Sequence, residues 1–327
     1  MEYKIASFNV RNLSFGAEKE RLDNLAKIIR ENNLDIIALQ EVLSEGKILT
    51  GSNQKMVSGQ AKVYEHSLKR RLGDDWAICW RNPASWAKSY MYDDSRGEGY
   101  AFAWNTRKFE LIEDEGEQIL PRIFRNYKLP EDGMIRLIRD PCYGRFKVKG
   151  RKPEIRLIST HIVYGKPKNW LGNADLDIGA VMMRKNEFQI LAGQIYPQID
   201  ADHKLNTVPY TIMLGDYNLN LAGSGAGSPI ISDIACFDEK GKVAGFSMGA
   251  PVVINTVQSQ LSTLKKDEDG LASNYDHFSF TNRVGGIVTS CEAINIIDEF
   301  AEGQESKYSQ YKKYVSDHLP IVLTIDI

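Results

Sequence analysis

The sequence predicts an α/β fold built from short buried strands and amphipathic helices. Residues 3–10 have the pattern of a strand, residues 18–32 place apolar side chains on one helical face, and residues 35–41 form a second apolar strand. A strand, a helix and a strand of these lengths form a crossover unit. Residues 211–214 are another apolar run, and Gly215 ends it with a turn signal that is typical of a buried strand.

Shorter elements continue this pattern along the chain. Further strands are predicted over residues 76–80, 99–104, 109–112, 144–149, 154–160, 277–281, 291–297 and 319–325. Helices are predicted over residues 178–195 and in a short segment that ends at Lys69-Arg70-Arg71. Residues 113–135 are charged and contain two prolines, which predicts an irregular excursion, and residues 223–228 predict a Gly/Ser surface loop.

Length and composition are those of an ordinary globular protein. The chain has 327 residues, of which 43% are hydrophobic and 26% are charged. It is long enough to bury a core and contains no linker, short repeat or low-complexity segment, so a single domain over residues 1–327 is predicted. The net charge of −2 argues against a protein held to nucleic acid by bulk charge, but it allows a local basic cleft.

Cysteine usage and hydropathy predict a cytoplasmic protein. The four cysteines lie far apart and form no CxxC pair, which indicates buried thiols in a reducing compartment; they are Cys79, Cys142, Cys236 and Cys291. The first ten residues lack the apolar core of a signal peptide. No window approaches 18 uninterrupted apolar residues, so no membrane span is expected.

Polar side chains stand at the ends of apolar runs throughout the chain. They are Asn9, Glu41, His161, Asp216, Asn218, Asp276, Asp317 and His318. Each has an ordinary explanation when taken alone, such as a turn residue, a solvated loop or a satisfied buried histidine, but those explanations do not account for their joint order. Carboxylates, amides and histidines together suit metal-assisted phosphoryl chemistry. Oxygen ligands without cysteine indicate a hard ion, Mg²⁺ or Mn²⁺.

The ordered set resembles the motifs of the endonuclease/exonuclease/phosphatase superfamily, whose founding nuclease is pancreatic deoxyribonuclease I. The matching elements are Phe8-Asn9-Val10-Arg11, Leu39-Gln40-Glu41-Val42, Ser159-Thr160-His161, Gly215-Asp216-Tyr217-Asn218, Tyr275-Asp276 and Ser316-Asp317-His318-Leu319-Pro320. They span residues 5–322, and each is weak alone while the ordered set is specific. The resemblance implies a four-layer α/β sandwich, in which helices flank two central, mostly antiparallel β-sheets.

Two further segments resemble the deoxyribonuclease I branch. They are residues 99–104, which include Tyr100, and the Arg139-Asp140-Pro141 element. The resemblance implies that Arg139 and Tyr100 contact substrate. One departure is visible, because residues 219–228 lack the cysteine that this secreted branch carries after its Gly-Asp-x-Asn motif. The departure favours an intracellular relative.

The resemblance also implies a role for each residue of the set. Glu41 is the expected principal metal ligand, with Asn9 and Asp317 near the metal or its waters. Asp216 is expected to orient or deprotonate the attacking water, and Asn218 to bind a phosphate oxygen. His161 held by Asp276, and His318 held by Asp317, are expected to flank the scissile phosphate. Two alternatives stay open: the base is Asp216 or His318, and one or two metals act.

The substrate follows less directly from the sequence. Residues 135–156 carry eight basic side chains, which indicate either a solvated strand pair or a ridge that contacts phosphates; they are Arg136, Arg139, Arg145, Lys147, Lys149, Arg151, Lys152 and Arg156. Lys166, Lys168 and Trp170 could add backbone contacts or a stacking ring. These features favour a weakly sequence-specific DNA endonuclease, with DNA preferred over RNA. The alternatives are a relative that acts on an inositol phosphate, a lipid head group or a nucleotide, and a catalytically silent scaffold. The oligomeric state stays open.

Overall fold

The computed structural model describes residues 1–13, 19–43, 68–81, 88–89, 92–93, 98–127, 137–162, 184, 187–202, 207–219, 242–245, 252–257, 260–301 and 305–327. Several sequence predictions lie outside these residues. They are the loop over residues 223–228, residues 178–183, 185 and 186 of the helix predicted over residues 178–195, the thiol of Cys236, and the basic or aromatic side chains of Arg136, Lys166, Lys168 and Trp170.

Short strands dominate the described chain, and they are numbered β1 to β20 in chain order. Their bounds are Glu2–Leu13, Ile36–Leu43, Trp76–Arg81, Lys88–Ser89, Tyr92–Asp93, Glu98–Asn105, Phe109–Leu111, Glu113–Asp114, Glu117–Gln118, Arg122–Ile123, Cys142–Val148, Pro153–His161, Val208–Asp216, Lys242–Gly245, Val252–Val257, Thr263–Leu264, Leu271–Ser273, Asp276–Phe280, Val288–Ala293 and Ile321–Asp326.

Among the described residues, helices are fewer than strands. The α-helices are Lys19–Glu31, Leu68–Leu72, Tyr196–Asp200, Asn282–Gly285 and Lys307–Tyr314, with a π-helical turn at Leu191–Ile195 and a 3₁₀-helix at Ile297–Phe300. The predicted amphipathic helix over residues 18–32 is confirmed by Lys19–Glu31. Where the structure describes the chain, no helix combines the length and the apolar character that crossing a membrane requires.

The strands form two central sheets. The first has six strands in the order β19-β20-β1-β2-β6-β3, and the second has eight, seven of them in the order β10-β11-β12-β13-β18-β15-β14, with β7 paired to β11. Within these two sheets, parallel pairing is recorded for β1 with β2 and for β12 with β13, and the other recorded pairs are antiparallel. The mostly antiparallel character of both sheets is therefore confirmed.

Three apolar clusters fill the spaces between four layers. The first cluster lies between the six-stranded sheet and the helices Lys19–Glu31 and Lys307–Tyr314. The second joins the two sheets, and includes Phe102 and Phe146 with ring centroids 5.5 Å apart. The third packs the eight-stranded sheet against residues 187–200. Since successive side chains of a strand face opposite sides, strands such as β1, β2, β12 and β13 contribute to two clusters.

Two predicted segments differ from the structure. The helix expected to end at Ile195 continues as the α-helix Tyr196–Asp200, because the backbone stays helical through a π-helical turn and past Pro197. The described part of the expected excursion over residues 113–135 holds the hairpin β8–β9 and the strand β10, which pairs with β11. Short polar strands of two residues lack the apolar alternation that makes a strand recognisable in sequence.

Candidate active site

Three neighbouring strands of the eight-stranded sheet place three site residues side by side. β12 runs parallel to β13, so that His161 lies opposite Asp216. β13 runs antiparallel to β18, so that Asp216 lies opposite Asp276. Residues directly opposite in a sheet project on the same face, and all three side chains are buried. The sheet register therefore assembles this row from segments that are more than 50 residues apart in the chain.

Gly215 allows β12 and β13 to meet at this row. Its φ is +146°, and a Cβ atom at this position would lie 1.9 Å from the carbonyl oxygen of Thr160. No side chain can be accommodated at that distance without moving a strand. Glycine is therefore required immediately before Asp216.

Asn9 joins the six-stranded sheet to the eight-stranded sheet. Its Nδ2 donates to Oε1 of Glu41 at 2.9 Å and to Oδ2 of Asp216 at 3.0 Å. Its Oδ1 accepts the backbone N–H of Arg11 at 3.0 Å. Because both carboxylates are acceptors, the amide nitrogen must face them. Asn9 thus bridges two carboxylates, whereas as a metal ligand it would use the Oδ1 atom that accepts from Arg11.

His318 reaches the row from the loop before β20. Its Nδ1 lies 2.9 Å from Oδ2 of Asp276, and its Nε2 lies 3.6 Å from Oδ2 of Asp216. The predicted pairing of His318 with Asp317 is therefore wrong. The Oδ2 of Asp317 instead lies 3.2 Å from Nε of Arg11. Both ring nitrogens of His318 face carboxylates of the eight-stranded sheet, from β18 and β13, rather than the carboxylate of the adjacent residue.

His161 is held by residues other than Asp276, so that predicted pairing is also wrong. Its Nδ1 lies 3.2 Å from Nη1 of Arg139 and 3.4 Å from Oε2 of Glu98, while Arg139 and Glu98 form a buried ion pair with each other. Its Nε2 lies 3.6 Å from Oδ2 of Asp216 and 3.8 Å from Oε1 of Glu41. A guanidinium nitrogen can only donate, so a hydrogen bond from Arg139 fits an unprotonated Nδ1, whereas the Glu98 carboxylate can accept from a protonated one.

Glu98 is the site residue that the sequence reasoning missed. Glu98 is the first residue of β6. It lies opposite Leu43 of β2, which is two residues after Glu41. It is 8% exposed and faces Arg139 and His161. The signal that could have found it is its place beside Gly99-Tyr100, a segment already singled out. An isolated glutamate at the start of a strand has no local pattern that marks it as buried.

Burial and charge together shift the pKa values of the two histidines in opposite directions. Burial lowers the pKa of His161 well below its usual range, and the positive charges of Arg139 and His318 act in the same direction. Burial also acts to lower the pKa of His318, but the carboxylates of Asp276 and Asp216 outweigh it and hold that pKa well above the usual range. The site therefore favours a neutral His161 and a protonated His318.

Asp216 lies between the two histidines, and the pKa of its own carboxyl group is also shifted. Burial raises the pKa of its carboxyl group; the charge of Asp276 adds to the rise, and that of His318 opposes it. Its Oδ1 accepts the backbone N–H of Asn218 at 2.9 Å. Strongly perturbed carboxyl groups in polar clusters are typical of functional sites.

The backbone around the site adopts conformations that ordinary residues rarely take. Arg11, Asn12, Glu41 and Asn218 have φ values of 45°, 51°, 57° and 50°. At Glu41 the pairing of β2 with β6 shifts register, and Oε2 of Glu41 accepts the backbone N–H of Asn12 at 3.0 Å. Left-handed backbone at several positions costs energy, and such strain is concentrated where function requires a fixed geometry.

Tyr100, Asn218 and Asp317 occupy different parts of the site. Tyr100 is 1% exposed, and its hydroxyl accepts the backbone N–H of His161 at 3.2 Å, which places it beneath the site as a support. Asn218 donates from Nδ2 to the carbonyl oxygen of Ile162 at 2.6 Å. Asp317 is at the rim, with its side chain 33% exposed beside Arg11. Only Asp317 of these three presents a substantially exposed side chain.

The predicted basic ridge over residues 135–156 lies only partly at the surface, where Lys149, Arg151 and Lys152 are exposed. Arg145 and Arg156 are buried and both pair with Glu154, at 2.6 Å and 2.9 Å. Lys147 faces Glu110 across the surface at 3.4 Å, and Arg139 belongs to the His161 cluster. The interpretation as a continuous phosphate-contacting ridge is therefore wrong for the two buried arginines, whose positive charge Glu154 offsets.

The donor atoms of the site fit a hard divalent cation. Two sets of side chains offer ligand atoms within 4.8 Å of one another, namely Glu41, Glu98 and His161, and Asp216, Asp276 and His318. Carboxylate oxygens dominate both sets, which is the preference of Mg²⁺ or Mn²⁺. Glu41 has a side chain that is 17% exposed, whereas Glu98 and Asp216 are more buried. Asp317 belongs to neither set.

Several solved structures share this fold across nearly the whole chain. A humanized TDP2 of D. rerio aligns with 13% identity and a TM-score of 0.55, covering 100% of this chain and 99% of the other. The mannosyl-6-phosphatase Bt3783 of Bacteroides thetaiotaomicron aligns with 15% identity and a TM-score of 0.53, covering 99% and 100%. ANGEL2, a 2′,3′-cyclic phosphatase, aligns with 13% identity and a TM-score of 0.54, covering 99% and 95%. At these identities the likeness concerns the fold alone.

The sequence comparison identifies the family. No curated protein sequence matches the chain. The family model described as the Endonuclease/Exonuclease/phosphatase family matches residues 6–232, which is more than half of the 327 residues. The match includes Asn9, Glu41, His161 and Asp216, and it confirms the resemblance and the sandwich fold that the motifs predicted. The chain belongs to the endonuclease/exonuclease/phosphatase family.

Proposed function

We propose that the protein is a divalent-metal-dependent phosphodiester hydrolase. The observation that carries the proposal is the convergence of His161, Asp216 and His318, with both Nε2 atoms 3.6 Å from the same Asp216 oxygen. Asn9 ties that oxygen to Glu41, so five polar residues from both sheets surround one point. In-line attack on a phosphodiester requires acid, base and charge-neutralising groups around one phosphorus.

Glu41 is the proposed principal ligand of the cation, with Asp317 near the metal or its waters. The two carboxylate oxygens of Glu41 are oriented by Asn9 and by the backbone N–H of Asn12, so this carboxylate is fixed in place. The donor set fits Mg²⁺ or Mn²⁺. When bound, the cation would neutralise charge on the phosphoryl oxygens.

Asp216 is the proposed base for the attacking water. The sequence left Asp216 and His318 as alternatives, and the contacts of His318 favour Asp216. Nδ1 of His318 is 2.9 Å from Asp276, and the neighbouring carboxylates hold its pKa high, so His318 carries its proton before reaction. A protonated imidazole cannot accept a proton, whereas a carboxylate with a raised pKa can.

His318 and His161 have different proposed roles on the phosphate. His318 is the proposed acid or fixed positive charge, because Asp276 stabilises its imidazolium form. His161 is the proposed neutral donor, since burial and Arg139 lower its pKa, and donation from Arg139 to Nδ1 places its proton on Nε2, the nitrogen that faces Glu41 and Asp216. Asn218 is the proposed phosphate contact; it lies two residues beyond Asp216, but its Nδ2 also donates to Ile162.

DNA is the proposed substrate, cleaved with little sequence preference. D. rerio TDP2, which has this fold, has been solved with a single-strand DNA product, at 13% identity and a TM-score of 0.54. Contacts to phosphates carry no base information, so a site of this kind predicts weak sequence preference. A reducing, cytoplasmic compartment is part of the proposal, supported by the free thiols of Cys79, Cys142 and Cys291.

A smaller phosphoester is the second candidate substrate. It is favoured by the burial of Arg145 and Arg156 against Glu154, which removes two cations from the surface available to a long polyanion. Solved structures with this fold also include a mannosyl-6-phosphatase and a 2′,3′-cyclic phosphatase. A silent scaffold is the weakest alternative, because binding a partner does not require a buried acid-base cluster.

Cleavage of three substrates distinguishes these proposals. Supercoiled plasmid, bis-p-nitrophenyl phosphate and p-nitrophenyl phosphate would each be incubated with Mg²⁺, Mn²⁺ or EDTA. The variants are His161→Ala with Asp216→Ala, and the matched control Arg70→Ala at an exposed helical position. We expect metal-dependent nicking that only the double variant abolishes. Cleavage of the small esters without nicking would overturn the DNA proposal alone, and inactivity on all three would overturn the hydrolase proposal.

A further inference from the structure

We propose that Ser262 is a positioning residue for the Asp276–His318 pair. This inference rests on the proposed function for its catalytic consequence, but the contacts themselves are independent of any substrate. Ser262 is 0% exposed and precedes β16. Its hydroxyl donates to Oδ2 of Asp276 at 2.7 Å, which is the same oxygen that faces Nδ1 of His318 at 2.9 Å.

The direction of the serine hydrogen bond is fixed by its other contacts. The backbone N–H groups of Tyr275 and Asp276 both point to Oγ of Ser262, at 3.3 Å and 3.2 Å. An oxygen that faces two N–H donors must accept from them, so its own proton is available for the carboxylate. Asp276 therefore faces two donors on one oxygen, one from Ser262 and one from His318.

The backbone around Ser262 holds His318, the other member of the pair. Its carbonyl oxygen accepts the N–H of Leu319 at 2.7 Å, and the carbonyl oxygen of Asp317 accepts the N–H of Leu264 at 2.8 Å. Thr263 and His318 form a bridge between these two bonds. The segment 262–264 thus holds both chain neighbours of His318 through backbone hydrogen bonds. The Ser262 side chain holds the Asp276 carboxylate that pairs with His318.

A carboxylate held by two donors can present one fixed oxygen to an imidazole. Losing the serine hydroxyl removes one of the donors that orient the Asp276 carboxylate and leaves its buried negative charge with one donor fewer. Since Ser262 does not touch the reacting groups, its effect must pass through the orientation of His318. That path predicts an effect on turnover that disappears once Asp276 can no longer bind His318 as a carboxylate.

The first test observes the histidine directly and needs no substrate. The protein would be labelled with ¹⁵N-histidine, and His318→Gln would assign the His318 Nδ1–H resonance among the five histidines. Ser262→Ala should shift this resonance and speed its exchange with water. Ser279→Ala is the matched control, because it removes an equally buried serine hydroxyl that bonds to Tyr217 and Thr256. It should leave the resonance in place.

The second test uses kinetics on the ester found to be cleaved. Ser262→Ala should lower kcat roughly tenfold, as expected for one hydrogen bond to a charged group, with KM changed less than about twofold. In an Asp276→Asn background the same substitution should cost less than about twofold. Ser262→Thr, which keeps the hydroxyl, should restore the His318 resonance, and it replaces the alanine variant as the test if that variant fails to fold.

The two tests separate failure of this inference from failure of the proposed function. An unchanged His318 resonance in Ser262→Ala, or equal losses of kcat in the wild-type and Asp276→Asn backgrounds, would overturn the positioning role. Wild-type protein that cleaves no phosphoester would overturn the proposed function, while the resonance test would still decide the structural claim.

Discussion

Nδ2 of Asn9 lies 3.0 Å from Oδ2 of Asp216, and this contact joins the two β-sheets at the site. The same nitrogen lies 2.9 Å from Oε1 of Glu41, so one amide lies between the buried carboxylate of Asp216 and the partly buried carboxylate of Glu41. Without a donor between them, the two negative charges would repel each other in a region with little water to screen them. The contact therefore serves both the stability of the fold and the arrangement of the site.

Replacing Asn9 by aspartate tests that bridge. Asn9→Asp keeps the shape but removes the donor and adds a third carboxylate, so we expect destabilisation by about 2–4 kcal/mol and a loss of activity of at least about 100-fold. Thermal unfolding and turnover would measure the two effects. Asn105→Asp, at a partly exposed position on β6, is the matched control. An Asn9→Asp protein as stable as this control would show that the bridge carries little energy.

The Asp276–His318 pair should govern turnover. Asp276→Asn keeps the side-chain volume but removes the negative charge that stabilises a protonated His318. We expect kcat to fall by roughly 10²- to 10⁴-fold with a small change in KM, which is the range for loss of general acid–base catalysis. The control is Asp298→Asn, which removes an exposed carboxylate paired with Lys307 and should leave kcat unchanged. Equal losses of kcat in the two variants would contradict the role of the Asp276–His318 pair.

Stability should depend on pH through Glu154. Burial acts to raise the pKa of Glu154, but hydrogen bonds from Arg145, Arg156 and Thr207 outweigh burial and hold it below its usual value. A depressed pKa in the folded state stabilises the protein above the unfolded pKa of about 4.3, and this stabilisation is lost as the pH falls through the folded pKa.

Glu154→Gln measures this contribution. Leaving two buried guanidinium groups without their carboxylate should cost about 3–5 kcal/mol at pH 7, and the difference from wild type should narrow as the pH falls below about 4. Denaturant titration at several pH values gives the free energy of unfolding. Glu110→Gln, which removes a half-exposed partner of Lys147, should cost less than about 1 kcal/mol. Equal losses in both variants would contradict the buried-pair explanation.

Close strand contact at Gly215 should make alanine intolerable there. Gly215→Ala would place a Cβ atom 1.9 Å from the carbonyl oxygen of Thr160, so we expect loss of more than about 3 kcal/mol, or no folded protein. Gly116→Ala separates steric contact from backbone strain, because its φ is also positive, at +83°, but nothing lies within 4 Å of the added atom. The control should lose only about 1–2 kcal/mol. Similar unfolding midpoints would argue against the clash.

The sequence predicted those parts of the fold and site that local patterns encode. Apolar runs located the central strands, and the polar residues at their ends, such as His161 and Asp216, are brought together by the sheet register. Their hydrogen-bond partners depend on which strands are neighbours and in what direction they run. That information is not local, which is why Asp276 was paired with His161 although β18 directs it toward His318.

Long-range charge pairing was equally hidden. Arg145, Glu154 and Arg156 lie in a stretch whose composition predicts a basic surface, because only two acidic residues, Asp140 and Glu154, stand among eight basic ones. The antiparallel pairing of β11 with β12 places Arg145 opposite Arg156, and both reach Glu154, which the sequence alone does not reveal. Glu98 escaped notice for the same reason, since its partners come from other strands and loops.

The aromatic layer between the sheets has a mechanical consequence. Phe102 and Phe146 belong to different sheets and touch edge to face, and the same two sheets carry Asn9 and Asp216. Because the site is assembled from both sheets, the thickness of the aromatic layer between them sets the distance between its two halves. Replacing Phe146 by a smaller side chain would therefore change turnover from a distance. The interior of this protein is thus a means of adjusting its chemistry without altering any reacting group.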